Sequence, residues 1–345
     1  MNLKQFGGKI TQDYLEKYQQ SPNWQEGKFQ NLETTTMDVS LYTVPGMIYD
    51  QFFQSDRKTP AESLPVKPFD KAALLAPAEE TKFIWYGHSV ILLRMNQQTI
   101  LIDPMLGPDA SPIAPITTKR FSENTLSLID EFPEIDLMLI THDHYDHLDY
   151  ASIEKLKEKT KKYFVALGVK RHLESWGIDS DRITEFDWWD HQSFHNISVT
   201  FTPTRHFSGR GLTDRAKSLW GGWALRTEKE NIWFSGDGGY GEHFKEIGSK
   251  LGPFDFAFME CGQYNKYWHQ IHMYPEESVQ AAFDAKAAKA MPVHWGGFSL
   301  APHGWDDPVK RFFTEAVKLD LKATFPRLGE IYSISDDVGE KWWES

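Results

Sequence analysis

Thr141-His142-Asp143-His144-Tyr145-Asp146-His147 follows directly on the apolar run Leu137-Met138-Leu139-Ile140, and these seven residues decide how the rest of the chain is read. The apolar run predicts a strand. In extended backbone, residues two apart point to one side, so His142 and His144 can grip one metal ion. Asp146 and His147 follow where the chain must turn, and they offer two ligands to a second ion. Three imidazoles and two carboxylates between His142 and His147 are costly to desolvate unless a cation uses them.

Working outward, three more metal-capable side chains stand just past predicted strands. His206 ends the run Ile197-Ser198-Val199-Thr200-Phe201-Thr202-Pro203-Thr204-Arg205, Asp237 follows Ile232-Trp233-Phe234-Ser235-Gly236, and His294 follows Ala290-Met291-Pro292-Val293. That edge is where α/β sheets place their sites. One ion is expected to take His142, His144 and His206; the other takes Asp146, His147 and His294, with Asp237 bridging. The cofactor is therefore two divalent metal ions, Zn2+ first, with Mn2+, Fe2+ and Ni2+ chemically admissible on mixed N/O donors. Two ions roughly 3.5–4 Å apart can share and acidify a water, which makes a metal-bridging hydroxide the nucleophile and Asp146 the group that orients it and takes its proton.

The chain has 345 residues, with 37 Lys and Arg against 49 Asp and Glu, a net charge of −12. That surplus of acid excludes a broad electrostatic grip on nucleic acid. A small cationic centre in a cleft still suits a small-molecule or lipid-derived anionic substrate. With 13 Trp and 23 Phe the core is expected to be aromatic. Cys261 is the lone cysteine, so no intrachain disulfide forms. The first eleven residues lack an apolar signal region, and no apolar run reaches the ~18 residues of a membrane span. The expected location is the cytoplasm, with no transmembrane segment and peripheral membrane contact left open.

Short β-rich runs are predicted at 83–86, 90–95, 99–102, 137–140, 163–167, 197–201, 220–225, 232–234, 254–259 and 290–293. Helices are predicted at 12–20, 150–161, 169–176, 240–251, 275–287 and 307–319. Pro275 ahead of Glu276 and Glu277 is a good helix start. Hairpins early and strand-helix alternation late imply two sheets covered by helices, a four-layer αββα sandwich of the α/β class. Residues 1–75 read as an N-terminal extension packed on a 76–345 hydrolase domain.

At this point the chain resembles the metallo-β-lactamase-fold superfamily, whose His-x-His-x-Asp-His signature stands here as His142 to His147. More narrowly it looks like the N-acylphosphatidylethanolamine-hydrolysing phospholipase D branch and its bacterial relatives. The likeness runs from about 84 to 298, through Trp85-Tyr86-Gly87-His88-Ser89, Leu101-Ile102-Asp103-Pro104, Arg205-His206-Phe207-Ser208-Gly209-Arg210-Gly211, Leu219-Trp220-Gly221-Gly222-Trp223, Ser235-Gly236-Asp237-Gly238-Gly239-Tyr240, His272-Met273-Tyr274-Pro275-Glu276-Glu277 and Pro292-Val293-His294-Trp295-Gly296. The resemblance implies that His272 is an additional active-site histidine that polarises substrate or protonates the leaving group. It implies that Asp103 accepts the other N–H of a ligand histidine. His88 is as well explained by a satisfied core as by function. Arg205 beside His206 is a candidate for an anionic substrate group. The β-lactam hydrolases of the superfamily use a cysteine ligand where this chain has Asp237, so antibiotic hydrolysis is not expected. Where the phospholipase branch carries a Pro-Arg-Trp-Phe segment, this chain reads Cys261-Gly262-Gln263-Tyr264-Asn265-Lys266-Tyr267-Trp268-His269-Gln270. That loop is expected to line the cleft, with Gln263 and Tyr264 touching substrate.

Three functions fit. The first is a metal-dependent phosphodiesterase of phospholipase D type. The second is a lactone or carboxylic-ester hydrolase resembling the sugar-phosphate lactonases, which share fold and ligand set. The third is a non-catalytic metal-bound scaffold or sensor, which the complete ligand set argues against.

Overall fold

The computed structural model describes residues 4–38, 40, 42–53, 57–111, 118–211, 213–336 and 339–344. The N-terminal stretch holds α1 (Gln12–Tyr18), a short hairpin of β1 (Trp24–Gln25) and β2 (Lys28–Phe29), α2 (Val44–Phe53) and α3 (Lys71–Leu75). Only α1 is predicted by the sequence. Pro45 and Gly46 look like breakers, yet proline is at home in a first helical turn, and α2 begins there. The start of α3 is set by Asp70, whose side chain accepts a hydrogen bond from the Ala73 N–H at 2.9 Å.

The first sheet contains β3 (Lys82–Trp85), β4 (Ile91–Met95), β5 (Gln98–Ile102), β6 (Ile135–Ile140), β7 (Thr160–Ala166) and β8 (Ile183–Phe186), with α4 (Tyr150–Leu156) between β6 and β7 and α5 (Lys170–Ser175) between β7 and β8. Strands β3 to β5 are antiparallel, and β5 to β8 are parallel. The second sheet repeats that plan. In it β9 (His191–Phe194), β10 (Ile197–Thr202), β11 (Gly222–Arg226) and β12 (Asn231–Phe234) are antiparallel, followed by parallel β13 (Phe256–Glu260), β14 (Lys289–Val293) and β15 (Lys322–Ala323). Helices α6 (His243–Lys250), α7 (Pro275–Asp284) and α8 (Asp307–Lys318) are the crossovers, and β16 (Ile331–Ser333) returns to pair with β3. The result is the four-layer sandwich expected.

Aromatic side chains join the sheets. Phe83 on β3 meets Phe258 on β13 edge-on at 5.1 Å, and Phe186 on β8 meets Trp223 on β11 at 5.2 Å. Each such pair adds about 0.5–1.5 kcal/mol beyond its buried area. Every predicted strand is present, with ends displaced by a few residues. Helix α4 stops at Leu156 rather than at residue 161, because Thr160 is drawn into β7 opposite Ile135. Within the two large sheets, the strands with no sequence signal are β8, β9, β15 and β16. Strand β9 is His191-Gln192-Ser193-Phe194 at a sheet edge, where exposed polar residues carry no alternation.

Candidate metal centre

The residues that follow β5, β6, β10, β12 and β14 converge where the C-terminal ends of the two parallel half-sheets meet. His142, His144 and His206 form one group. Nδ1 of His144 stands 2.9 Å from Nε2 of His142 and 3.2 Å from Nε2 of His206. The proton positions follow from the neighbours. Thr141 Oγ1 spends its only proton on Asp103 Oδ2 at 2.6 Å, so it accepts from His142 Nδ1–H at 2.9 Å. His206 Nδ1–H donates to the Ile271 carbonyl at 3.0 Å. Nε2 of both rings is therefore a bare lone pair aimed at its neighbours. Nitrogens bound ~2.0–2.1 Å from one tetrahedral ion stand roughly 3.3 Å apart, close to the spacing seen. Burial holds His142 and His206 well below the usual imidazole range and brings His144 down to about 4.

The second group is His88, Asp146, His147 and His294. Asp146 Oδ2 lies 2.9 Å from His88 Nε2, 3.5 Å from His147 Nε2 and 3.4 Å from His294 Nε2. His147 Nδ1–H donates to Asp103 Oδ2 at 2.8 Å, which turns its Nε2 to the centre. Burial opposes charge on His147 and His294, but the Asp237 carboxylate with its neighbours outweighs it and raises both well above the usual range. Asp237 joins the groups: its Oδ2 is 3.0 Å from Nε2 of His147 and of His294, and 4.0 Å from Nε2 of His142 and of His206. The donor set, four buried imidazoles, the half-buried His144 and two carboxylates converging on one centre, fits divalent metal.

His272 closes the cleft. A ring nitrogen of His272 and ligand atoms of His206 and Asp237 all lie within 4.8 Å of one another. Its Nδ1 is 2.9 Å from Glu260 Oε1. A cavity of about 890 Å³ opens at the far ends of these strands, around Asn96, Asn196 and Glu228, and contains none of the clustered histidines.

The family described as Beta-lactamase superfamily domain matches residues 98–295. An uncharacterized protein of Mycobacterium tuberculosis is 35% identical over 331 residues, covering 94% of this chain and 88% of that protein. The chain belongs to the metallo-β-lactamase superfamily. Within it, the branch resembles the N-acyl-phosphatidylethanolamine-hydrolyzing phospholipase D 1 of Caenorhabditis elegans, 31% identical over 73% of this chain and 75% of that protein. Among solved structures Igni18, a metallo hydrolase from Ignicoccus hospitalis, shares the fold with a TM-score of 0.58 at 20% identity, over 73% of this chain and 97% of that one. The chain is thus a metal-dependent hydrolase of the metallo-β-lactamase superfamily.

The three residues expected to touch substrate each make hydrogen bonds within the fold. Arg205 donates to Thr35 Oγ1 at 3.0 Å, to the Thr34 carbonyl at 2.8 Å and to the Tyr240 carbonyl at 3.2 Å, so it ties the N-terminal stretch to the sandwich. Gln263 is buried, and its amide bonds the carbonyls of His294 and Phe298 while its oxygen accepts from Leu300 and Ala301. Tyr264 donates its hydroxyl to Asp307 and stacks on His303 at 4.3 Å, lining a separate cleft of about 370 Å³ with Arg311. The loop therefore braces the His294 turn.

Two residues in the centre go unassigned by the sequence. His88, weighed equally between core and function, sits against His294 at 4.1 Å between ring centres, its Nδ1 without a partner among the described residues. Glu260 carried a signal that went unused, a lone acid closing the apolar run Phe256-Ala257-Phe258-Met259. Beneath the metallo-β-lactamase motif, Asp143 accepts from Gly209 N at 2.7 Å and faces His172 Nε2 at 3.2 Å, which holds the histidine loop from behind. His88, Asp103 and His294 have positive φ of 56°, 43° and 68°. Such backbone costs of order 1–3 kcal/mol per non-glycine residue and persists where surrounding bonds over-determine it. Here His88 and the His294 turn are stitched together by His88 N–H to the Trp295 carbonyl at 2.7 Å and His294 N–H to the His88 carbonyl at 2.9 Å.

Proposed function

We propose that this chain is a dinuclear phosphodiesterase of the phospholipase D type, with residues 1–75 an extension serving a 76–345 catalytic domain. The position of Asp237 Oδ2 between the two histidine groups carries the reading, because a single bridging carboxylate suits a pair of ions. The similarity to the Caenorhabditis elegans phospholipase supports a diester substrate. The ions, Zn2+ being the first expectation, would supply Lewis acidity and lower the pKa of a water towards neutrality.

His142, His144 and His206 would hold one ion, Asp146, His147 and His294 the other, and Asp237 both. Asp146 orients the water and receives its proton as the new oxygen–phosphorus bond forms. The bond to the leaving oxygen breaks on the opposite side, and His272 gives that oxygen a proton. Asp103 holds His147 in the tautomer that leaves Nε2 free. The test is chelator-sensitive cleavage of bis(p-nitrophenyl) phosphate and N-acylphosphatidylethanolamine, run beside a lactone series on the same sample. Diester cleavage is the expected result. Efficient lactone opening by a sample inert to every diester would overturn it.

A further inference from the structure

We infer that Glu260 is a positioning residue whose carboxylate commits His272 to proton delivery. Glu260 ends β13, is buried, and pairs in register with Val293, the residue before His294. Its main chain is pinned, with Ser235 Oγ accepting its N–H at 2.9 Å and Ser278 Oγ donating to its carbonyl at 2.6 Å. Oε1 lies 2.9 Å from His272 Nδ1 and 3.6 Å from His294 Nδ1, while Oε2 accepts the Met273 N–H at 3.2 Å. The two rings stack 5.2 Å apart at 11°, but only His272 bonds Glu260, since His294 Nδ1 faces the Gly262 carbonyl at 3.5 Å.

A carboxylate accepts only, so the proton of the His272 imidazole is drawn to Nδ1 and its Nε2 is left bare in the ground state. That Nε2 is the nitrogen left to take a proton from solvent and pass it to the leaving oxygen. Glutamine cannot replace Glu260 evenly. It has one acceptor oxygen where Glu260 serves Nδ1 of His272 with one oxygen and the Met273 N–H with the other.

The inference rests on the proposed role of His272, and two measurements separate them. The first is long-range 1H–15N spectra of the histidine rings in the metal-free protein. His272 is expected as the Nδ1–H tautomer, shifting in Glu260→Gln, and an Nε2–H tautomer in the unaltered protein would overturn the inference while leaving the diesterase reading intact. The second compares leaving groups on zinc-loaded enzyme. Glycerophosphoethanolamine, whose alkoxide needs a proton, should lose ~10-fold or more in kcat in Glu260→Gln. Bis(p-nitrophenyl) phosphate, whose phenolate does not, should change little, and Glu260→Gln should add nothing to His272→Ala. Equal losses on both substrates would reduce Glu260 to a scaffold and sink the inference.

Discussion

Asp237 Oδ2 stands 4.0 Å from Nε2 of His142 and His206 but 3.0 Å from Nε2 of His147 and His294, and that one ångström separates two kinds of metal-binding region. Around His142, His144 and His206 burial dominates, the rings are neutral, and their lone pairs are free near neutral pH. Around His147 and His294 the carboxylates win against burial and hold protons in place. A cation entering the first region meets imidazoles without net charge, whereas one entering the second meets rings that the carboxylates bias towards the charged form. The same imidazole is thus a ready ligand or a proton store according to whether a carboxylate lies near.

The comparison breaks most visibly at His142. Its Nδ1 is spent on Thr141, so alanine there removes a donor that no neighbour replaces. His142→Ala is expected to lose one ion by elemental analysis and to fall to background hydrolysis. Two ions retained per chain would show that the all-histidine region is not a site.

Asp146→Asn probes the second region with a smaller effect. Asparagine keeps the shape but gives up the charge and basicity that accept protons from His88 and from the attacking water. Turnover should drop ~10²-fold, the usual cost of a positioned proton acceptor. Full metal content with undiminished kcat would remove Asp146 from the reaction.

How far all this was legible depends on where each residue sits. His142 to His147, His206, Asp237 and His294 stand at strand ends, where apolar runs announce the strand and the side chain after it has no packing reason to be ionisable. The sandwich follows from the same runs. Edge strands β9, β15 and β16 were not legible, because pairing at one edge needs no apolar pattern. Arg205 is singled out by its place beside His206, and Gln263 and Tyr264 by a loop that departs from the phospholipase branch, and neither signal shows what a side chain bonds to. Each is a polar side chain with several donors or acceptors, and the fold uses them on carbonyls and carboxylates nearby. Glu260 was readable by cost alone, since a buried carboxylate in an apolar strand must have partners.

The smallest effect isolates burial from both metal and carboxylate. His243 opens α6, is buried, and its Nε2 has no hydrogen-bond partner among the described residues. Burial, with Arg205 adding repulsion, pushes its pKa down from 6.5 to about 3. Between those two values the unfolded chain binds a proton that the folded chain refuses. The stability His243 preserves above pH 6.5 is therefore lost as pH falls, with a slope of about 1.4 kcal/mol per pH unit. His243→Leu removes that titration, so urea unfolding of variant and parent should diverge steadily as the pH is lowered from neutrality to about 5, the variant losing stability more slowly. Comparing the two proteins at each pH cancels protonation of the metal-facing histidines, which both share. Parallel curves would mean that His243 is reached by water in the folded state, and that burial alone does not keep the imidazoles of the first region neutral.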